Sequence, residues 1–115
     1  MLKNAVLCAV LFTTTAAQAQ DPVQTDSDKY KVILENDRVR VLEYRDNPGG
    51  QTAQHRHPAF VLYTLTPFTR ELTLPDDKVL RRDFKAGEAF WSEAQTHVGK
   101  NVGTTPTHII MIEMK

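Results

Sequence analysis

From Tyr30 to Met114 the chain reads as short apolar runs cut by turn residues roughly every 8 to 12 positions, and no window sustains apolar residues at helical spacing. This rhythm confines the regular structure to antiparallel strands. Val32 and Leu34 alternate with Lys31, Ile33 and Glu35; across a turn at 35–38, Val39, Val41 and Glu43 alternate with Arg40, Leu42 and Tyr44. Asp46 to Gly50 is a stronger turn, and the β-branched and aromatic run Phe60–Leu65 is closed by Pro67. Pro75-Asp76-Asp77 marks a hairpin between 71–74 and 79–84, and Ala86-Gly87-Glu88 precedes Ala89-Phe90-Trp91. Thr96–Val102 and His108–Met114 complete about eight or nine strands, enough for a double-sheet jelly-roll barrel in one domain. The final strand is apolar on both faces, Ile110, Ile112 and Met114 on one, Ile109 and Met111 on the other. It is therefore expected to lie between sheets or against a second subunit, and a homodimer is expected because edge strands also need covering.

The first 19 residues do not share this pattern. Lys3 supplies a positive start, 5–12 an apolar core of signal-peptide length, and Ala17-Gln18-Ala19 a small-residue junction. These features predict a secretory signal peptide cleaved after Ala19, and hence a periplasmic or secreted protein with no membrane attachment once cleaved. Residues 20–29 are polar, rich in Asp and interrupted by Pro22, which predicts a flexible leader before a barrel domain spanning 30–115.

Charge narrows the partners. The chain carries 14 Lys+Arg against 14 Asp+Glu, and loss of Lys3 with the signal peptide leaves the remainder at minus one. Nucleic-acid binding, which asks for a basic patch or a strongly basic domain, is disfavoured. Loss of Cys8, the single cysteine, removes every disulfide, thiolate nucleophile and thiolate ligand from the mature chain. Only Ser27 and Ser92 remain as serines there, and no Gly-x-Ser-x-Gly elbow is present, so acyl transfer by a triad has no support.

Three of the four histidines can act together. His55 and His57 are two apart, so an extended strand projects both imidazoles to one face, where a helix would separate them by about 200 degrees. His97 opens another predicted strand and can supply a third nitrogen. Three neutral imidazoles on a divalent ion leave positions for water or substrate, the pattern of a catalytic rather than a structural site. His108 is either a strand-end residue or part of a pocket, and Tyr63 and Trp91 each combine an aromatic body with a polar tip that can meet a ligand.

Gly49, His55 and His57, separated by five residues and one, resemble the first half of cupin motif one, which continues with a Glu three or four residues later and a closing Gly. Gly87 to Asn101 resembles motif two, with His97 and Asn101 at its terminal spacing. The flanks Glu35–Leu42, His57-Pro58 and Asn101–Thr105 are similar to those of small single-domain bacterial cupins. The resemblance implies an all-β double-stranded β-helix that binds a divalent metal (Fe, Mn, Ni or Zn) through His55, His57 and His97. Gln51, Tyr63, Trp91 and Asn101 become candidates for the surrounding ligand pocket. It further implies a small-molecule ligand or substrate and, if there is turnover, dioxygenase- or isomerase-like chemistry. The alternative is a non-catalytic ligand-binding or interaction cupin with a degenerate site. The sequence departs from the pattern at the motif-one Glu, where Val61 and Leu62 stand, at its closing Gly, and at Ser92 and Ala94 in place of Pro and Gly. The missing Glu removes an anionic ligand and the expected base, so a bound ion would keep its full charge and any acid-base role would fall to another group.

Overall fold

The computed structural model describes Ala9 and residues 20–115, so apart from Ala9 the expected signal peptide lies outside the described residues. One helical turn, α1 (Pro22–Thr25), precedes nine strands: β1 (Tyr30–Glu35), β2 (Val39–Asp46), β3 (His55–His57), β4 (Phe60–Thr64), β5 (Phe68–Thr73), β6 (Val79–Phe84), β7 (Ala89–Ser92), β8 (Gln95–Asn101) and β9 (Thr107–Met114). They form two antiparallel sheets, ordered β1-β2-β9-β4-β7 and β3-β8-β5-β6. The all-β two-sheet architecture read from the turn spacing is the one observed.

Local chemistry sets the turns. Asn36 accepts from the backbone N–H groups of Arg38 and Val39 at 2.8 and 2.9 Å, closing the β1–β2 hairpin. Asp77, at φ 66°, takes the left-handed position of the β5–β6 turn, one that Asp tolerates better than most residues. The break before β5 falls at 65–67 and contains Pro67.

Period-two alternation then chooses the core. On β2 the inward residues are Arg40, Leu42, Tyr44 and Asp46, and on β9 they are Thr107, Ile109, Met111 and Glu113. Tyr30, Leu42, Tyr44, Phe60, Phe68, Ile109 and Met111 form the buried cluster between the sheets. Strand β9 sits at the centre of its sheet between β2 and β4, which accounts for its apolar inner face. Its other face, with Ile110, Ile112 and Met114, is half-buried on the outside of the sheet. β1 departs from simple alternation: a bulge between Val32 and Leu34 leaves Val32, Ile33 and Leu34 all exposed on an edge strand.

Residues 20–29 are not a flexible leader. Asp21 caps α1 by accepting from Val23 N at 2.9 Å, and its carboxylate also holds Arg40 at 2.6 Å. Gln20 bridges the free side of β3, where its carbonyl accepts from Arg56 N at 3.2 Å, and the buried Asp26 accepts from Ala53 N at 3.2 Å. The polar residues that read as solvated are acceptors for backbone and guanidinium donors of the barrel.

Candidate metal centre

The register of β3 against β8 places His55 directly opposite His97, and the two-residue period brings His57 to the same face. The three rings meet inside the barrel, with centroids 4.7 Å (His55–His57), 4.8 Å (His55–His97) and 5.3 Å (His57–His97) apart. One ligand atom from each lies within 4.8 Å of the others. All three side chains are buried, His55 and His57 completely.

Each ring is fixed through its Nδ1. His55 Nδ1 is 3.0 Å from the Ala53 carbonyl, His57 Nδ1 is 2.7 Å from Glu113 Oε2, and His97 Nδ1 is 2.8 Å from Gln95 Oε1. All three partners are acceptors, so each Nδ1 carries a proton and each Nε2 is the atom turned to the cluster; the Tyr30 hydroxyl lies 3.4 Å from that of His55. The Nε2 of His57 is buried and has no hydrogen-bond partner among the described residues. A buried polar atom without a partner is costly, and here it faces a cluster of like groups rather than a donor. Burial, with His57 close by, pushes the His55 imidazole down to about 4 and that of His97 down to about 2, so both are neutral at pH 7. The donor set therefore fits a divalent ion on chemical grounds: three buried imidazoles converge through Nε2, and two of them, His55 and His97, are held neutral by burial.

The carboxylate missing from motif one is not replaced inside this cluster. Leu62, on the inward face of β4, lines the same cavity as His57 and His97. A carboxylate instead reaches the site from behind. Glu113 on β9 accepts from His57 and from Arg40 Nε, both at 2.7 Å, and Arg40 is pinned in turn by Asp21. This residue was missed in sequence, although the signal was present: Glu113 shares the inward face of β9 with Ile109 and Met111.

A second buried network flanks the cluster. Arg70 donates to Asp46 at 2.9 Å and to the Tyr44 hydroxyl at 3.0 Å, while Tyr44 donates to Asp46. Asn101 donates to the other Asp46 oxygen at 3.0 Å and to Thr105 O at 2.9 Å. Burial alone would raise the Asp46 carboxyl, but hydrogen bonds from Tyr44 and Asn101, with the Arg70 charge, hold it below the usual carboxylate range. Gly99 makes room for this arrangement, since a Cβ there would lie 2.4 Å from Arg70 Nη2.

A cavity of about 250 Å³ opens above the histidines. Of the expected pocket residues only Trp91 borders it, at the rim: opposite Val61 in the register, its indole lies on the outer face and donates to Glu93 at 3.0 Å. Gln51 is exposed and bridges Lys100 on the barrel exterior, and Tyr63 points outward from β4 because its parity opposes that of Phe60 and Leu62. Asn101 is fully buried in the Asp46 network, away from the cavity, and His108 lies 3.0 Å from Glu43 on the outer face.

No protein-family model and no curated protein sequence matches the chain. Solved structures do. A cupin domain from Bordetella pertussis Tohama I is 30% identical, aligns over 75% of this chain and 91% of that one, and superposes with a TM-score of 0.68. An RmlC-like cupin family protein with a double-stranded β-helix fold from Methanocaldococcus jannaschii is 14% identical over 74% and 77% of the two chains, at 0.60. The polyketide cyclase RemF from Streptomyces resistomycificus is 20% identical over 74% and 63%, at 0.57. The barrel and the similarity to the Bordetella protein identify the chain as a member of the cupin superfamily.

Proposed function

We propose that this cupin binds a divalent metal, one of Fe, Mn, Ni or Zn, through Nε2 of His55, His57 and His97, and admits a small organic molecule to the cavity above it. The observation that carries this reading is the buried, unpartnered Nε2 of His57 in a cluster whose Nδ1 atoms are all engaged. A bound ion supplies Lewis-acid polarisation of a ligand oxygen, with coordination positions left open by the three protein ligands. Within the chain, Ala53, Glu113 and Gln95 orient the rings.

Metal analysis of the untagged protein, with zinc titration of the wild type and of His55→Ala, His57→Ala and His97→Ala, tests the reading. One equivalent of metal in the wild type and its loss in variants that stay folded supports it. A folded wild type that takes up none of the four ions overturns it. A non-catalytic ligand-binding role is the second reading, favoured by one feature: among the described residues no carboxylate lines the cavity to act as a base.

Export after cleavage at Ala19 and pairing of two copies belong to the same proposal. Leu34, Val41, Ile112, Val61 and Trp91 are consecutive cross-strand neighbours on the outer face of the five-stranded sheet, an apolar row suited to a second copy. Light scattering of the mature protein reads the dimer directly, and N-terminal sequencing of the exported protein reads the cleavage.

A further inference from the structure

The cavity is cationic as well as aromatic. Among its lining residues are Arg70 and Arg82 and not one Asp or Glu. The two arginines are directly opposite each other in the β5–β6 register, a placement that like charges normally disfavour. Arg70 is balanced from behind by Asp46. Arg82 forms no ion pair among the described residues; its guanidinium lies 4.0 Å from the Phe90 ring centroid and 5.2 Å from that of Phe84. Those rings hold its position without cancelling its charge.

The floor adds to this excess. Three neutral imidazoles would leave a divalent ion with both of its charges, and the residue that faces the cavity from β4 beside them is Leu62, not a carboxylate. Between floor and mouth the walls are Phe60, Phe68, Phe84, Phe90, Leu72 and Met111, in a space of about 250 Å³. A volume of this size holds one ring and a short substituent.

We infer that the cavity takes a small organic anion with an aromatic or compact apolar body, its carboxylate or enolate oxygen directed to the histidine floor and its body held between the phenylalanines. This rests on the metal reading for the strongest part of its anion preference and narrows the ligand to one charge class. The bound anion supplies the negative charge that the protein omits, and Arg82 at the mouth raises the local concentration of anions. An amine of the same shape is rejected by the metal and Arg82 together, and a neutral alcohol gains only the aromatic contact.

The test uses benzoate, benzyl alcohol and benzylamine as probes of one shape and three charges, at fixed ionic strength, on zinc-loaded and metal-free mature protein. Isothermal titration calorimetry measures the binding of each probe. Benzoate should bind the zinc-loaded protein at least tenfold more tightly than benzyl alcohol, with benzylamine weakest. Arg82→Gln should reduce the benzoate affinity several-fold and leave benzyl alcohol unchanged.

Equal binding of the three probes by zinc-loaded protein, or no binding of benzoate, overturns this inference while the metal site stands. Failure of zinc to bind, seen in the titration without probe, overturns the metal reading instead. The metal-free protein then decides the ligand class: a benzoate preference lost in Arg82→Gln sustains it on the arginine alone, and no preference removes both.

Discussion

Replacing Glu113 by Gln keeps the shape of the side chain and removes the carboxylate hydrogen-bonded to His57. Glu113 is 2% exposed and accepts two hydrogen bonds at 2.7 Å, from Arg40 and from His57 Nδ1. A glutamine has one acceptor oxygen, so its amide NH₂ must face either a guanidinium or an imidazole N–H, donor against donor. Loss of one charge-assisted bond is worth about 1.5–3 kcal/mol. Complete loss of a buried pair reaches about 3–5 kcal/mol, but Arg40 retains Asp21 at 2.6 Å, so the lower range applies to the metal-free fold. For the ion the relevant effect is on His57, whose orientation and basicity the carboxylate sets. Removing such a partner weakens metal binding by about 10–100-fold, equivalent to about 1.4–2.7 kcal/mol. Zinc competition against a chromogenic chelator at pH 7.5, beside urea unfolding of the metal-free protein, separates the two effects. Arg40→Met is the control, because it leaves the carboxylate on His57 and should weaken zinc less than Glu113→Gln does. A folded Glu113→Gln protein with zinc affinity within twofold of wild type would refute the reasoning.

Three further outcomes follow from the same geometry. Gly99→Ala sets a Cβ 2.4 Å from Arg70 Nη2, and because Asp46 and Tyr44 lock that guanidinium the substitution should destabilise by about 2–3 kcal/mol in urea unfolding, with a wild-type midpoint as the contrary result. His55 and His97 bind protons more weakly folded, at about 4 and about 2, than at the ordinary value of 6.5, so their contribution is fully present above pH 6.5 and is lost as pH falls towards the folded values. Together they should remove about 3 kcal/mol of metal-free stability between pH 6.5 and 5, and a flat profile across that window would contradict the neutral burial of both rings. Asp26→Ala leaves the Ala53 N–H without its acceptor and should cost about 1–3 kcal/mol while accelerating amide exchange in β3; unchanged exchange there would show that the 20–29 segment does not brace the strand.

The barrel and the histidine cluster were legible because both depend on local periods. Turn residues recur along the chain, and a spacing of two puts His55 and His57 on one face wherever a strand forms. His97 is not local to that pair: it was a candidate third ligand on a separate strand, and the resemblance to the cupin pattern joined it to the site. What remained hidden depends on partners far away in sequence. Arg70 is buried because Asp46, 24 residues earlier, accepts from it and because Gly99 on the neighbouring strand lacks a Cβ. Neither condition leaves a mark near position 70. Asn101 kept its motif spacing, yet its role is to tie Asp46 to the 105–107 loop end rather than to touch a ligand. Gln51 and Tyr63 were assigned to the pocket by type, and strand parity turned Tyr63 outward.

Strand β3 explains why the polar segment before the barrel is ordered. It contributes two of the three histidines, yet it is only three residues long and lies at the edge of its sheet, paired with β8 alone. A strand so short and half-paired frays readily, and fraying would misplace His55 and His57 together. The segment 20–26 addresses both weaknesses: Gln20 occupies the open edge beside His55 and Arg56, and Asp26 anchors Ala53, whose carbonyl holds the His55 ring. Asp21 reaches the third element of the site through Arg40 and Glu113 to His57. Two histidines are thus braced by acidic residues whose sequence context is that of a solvated tail. Charge and turn content describe how a segment behaves alone, whereas its order here comes from donors that the folded barrel presents to it.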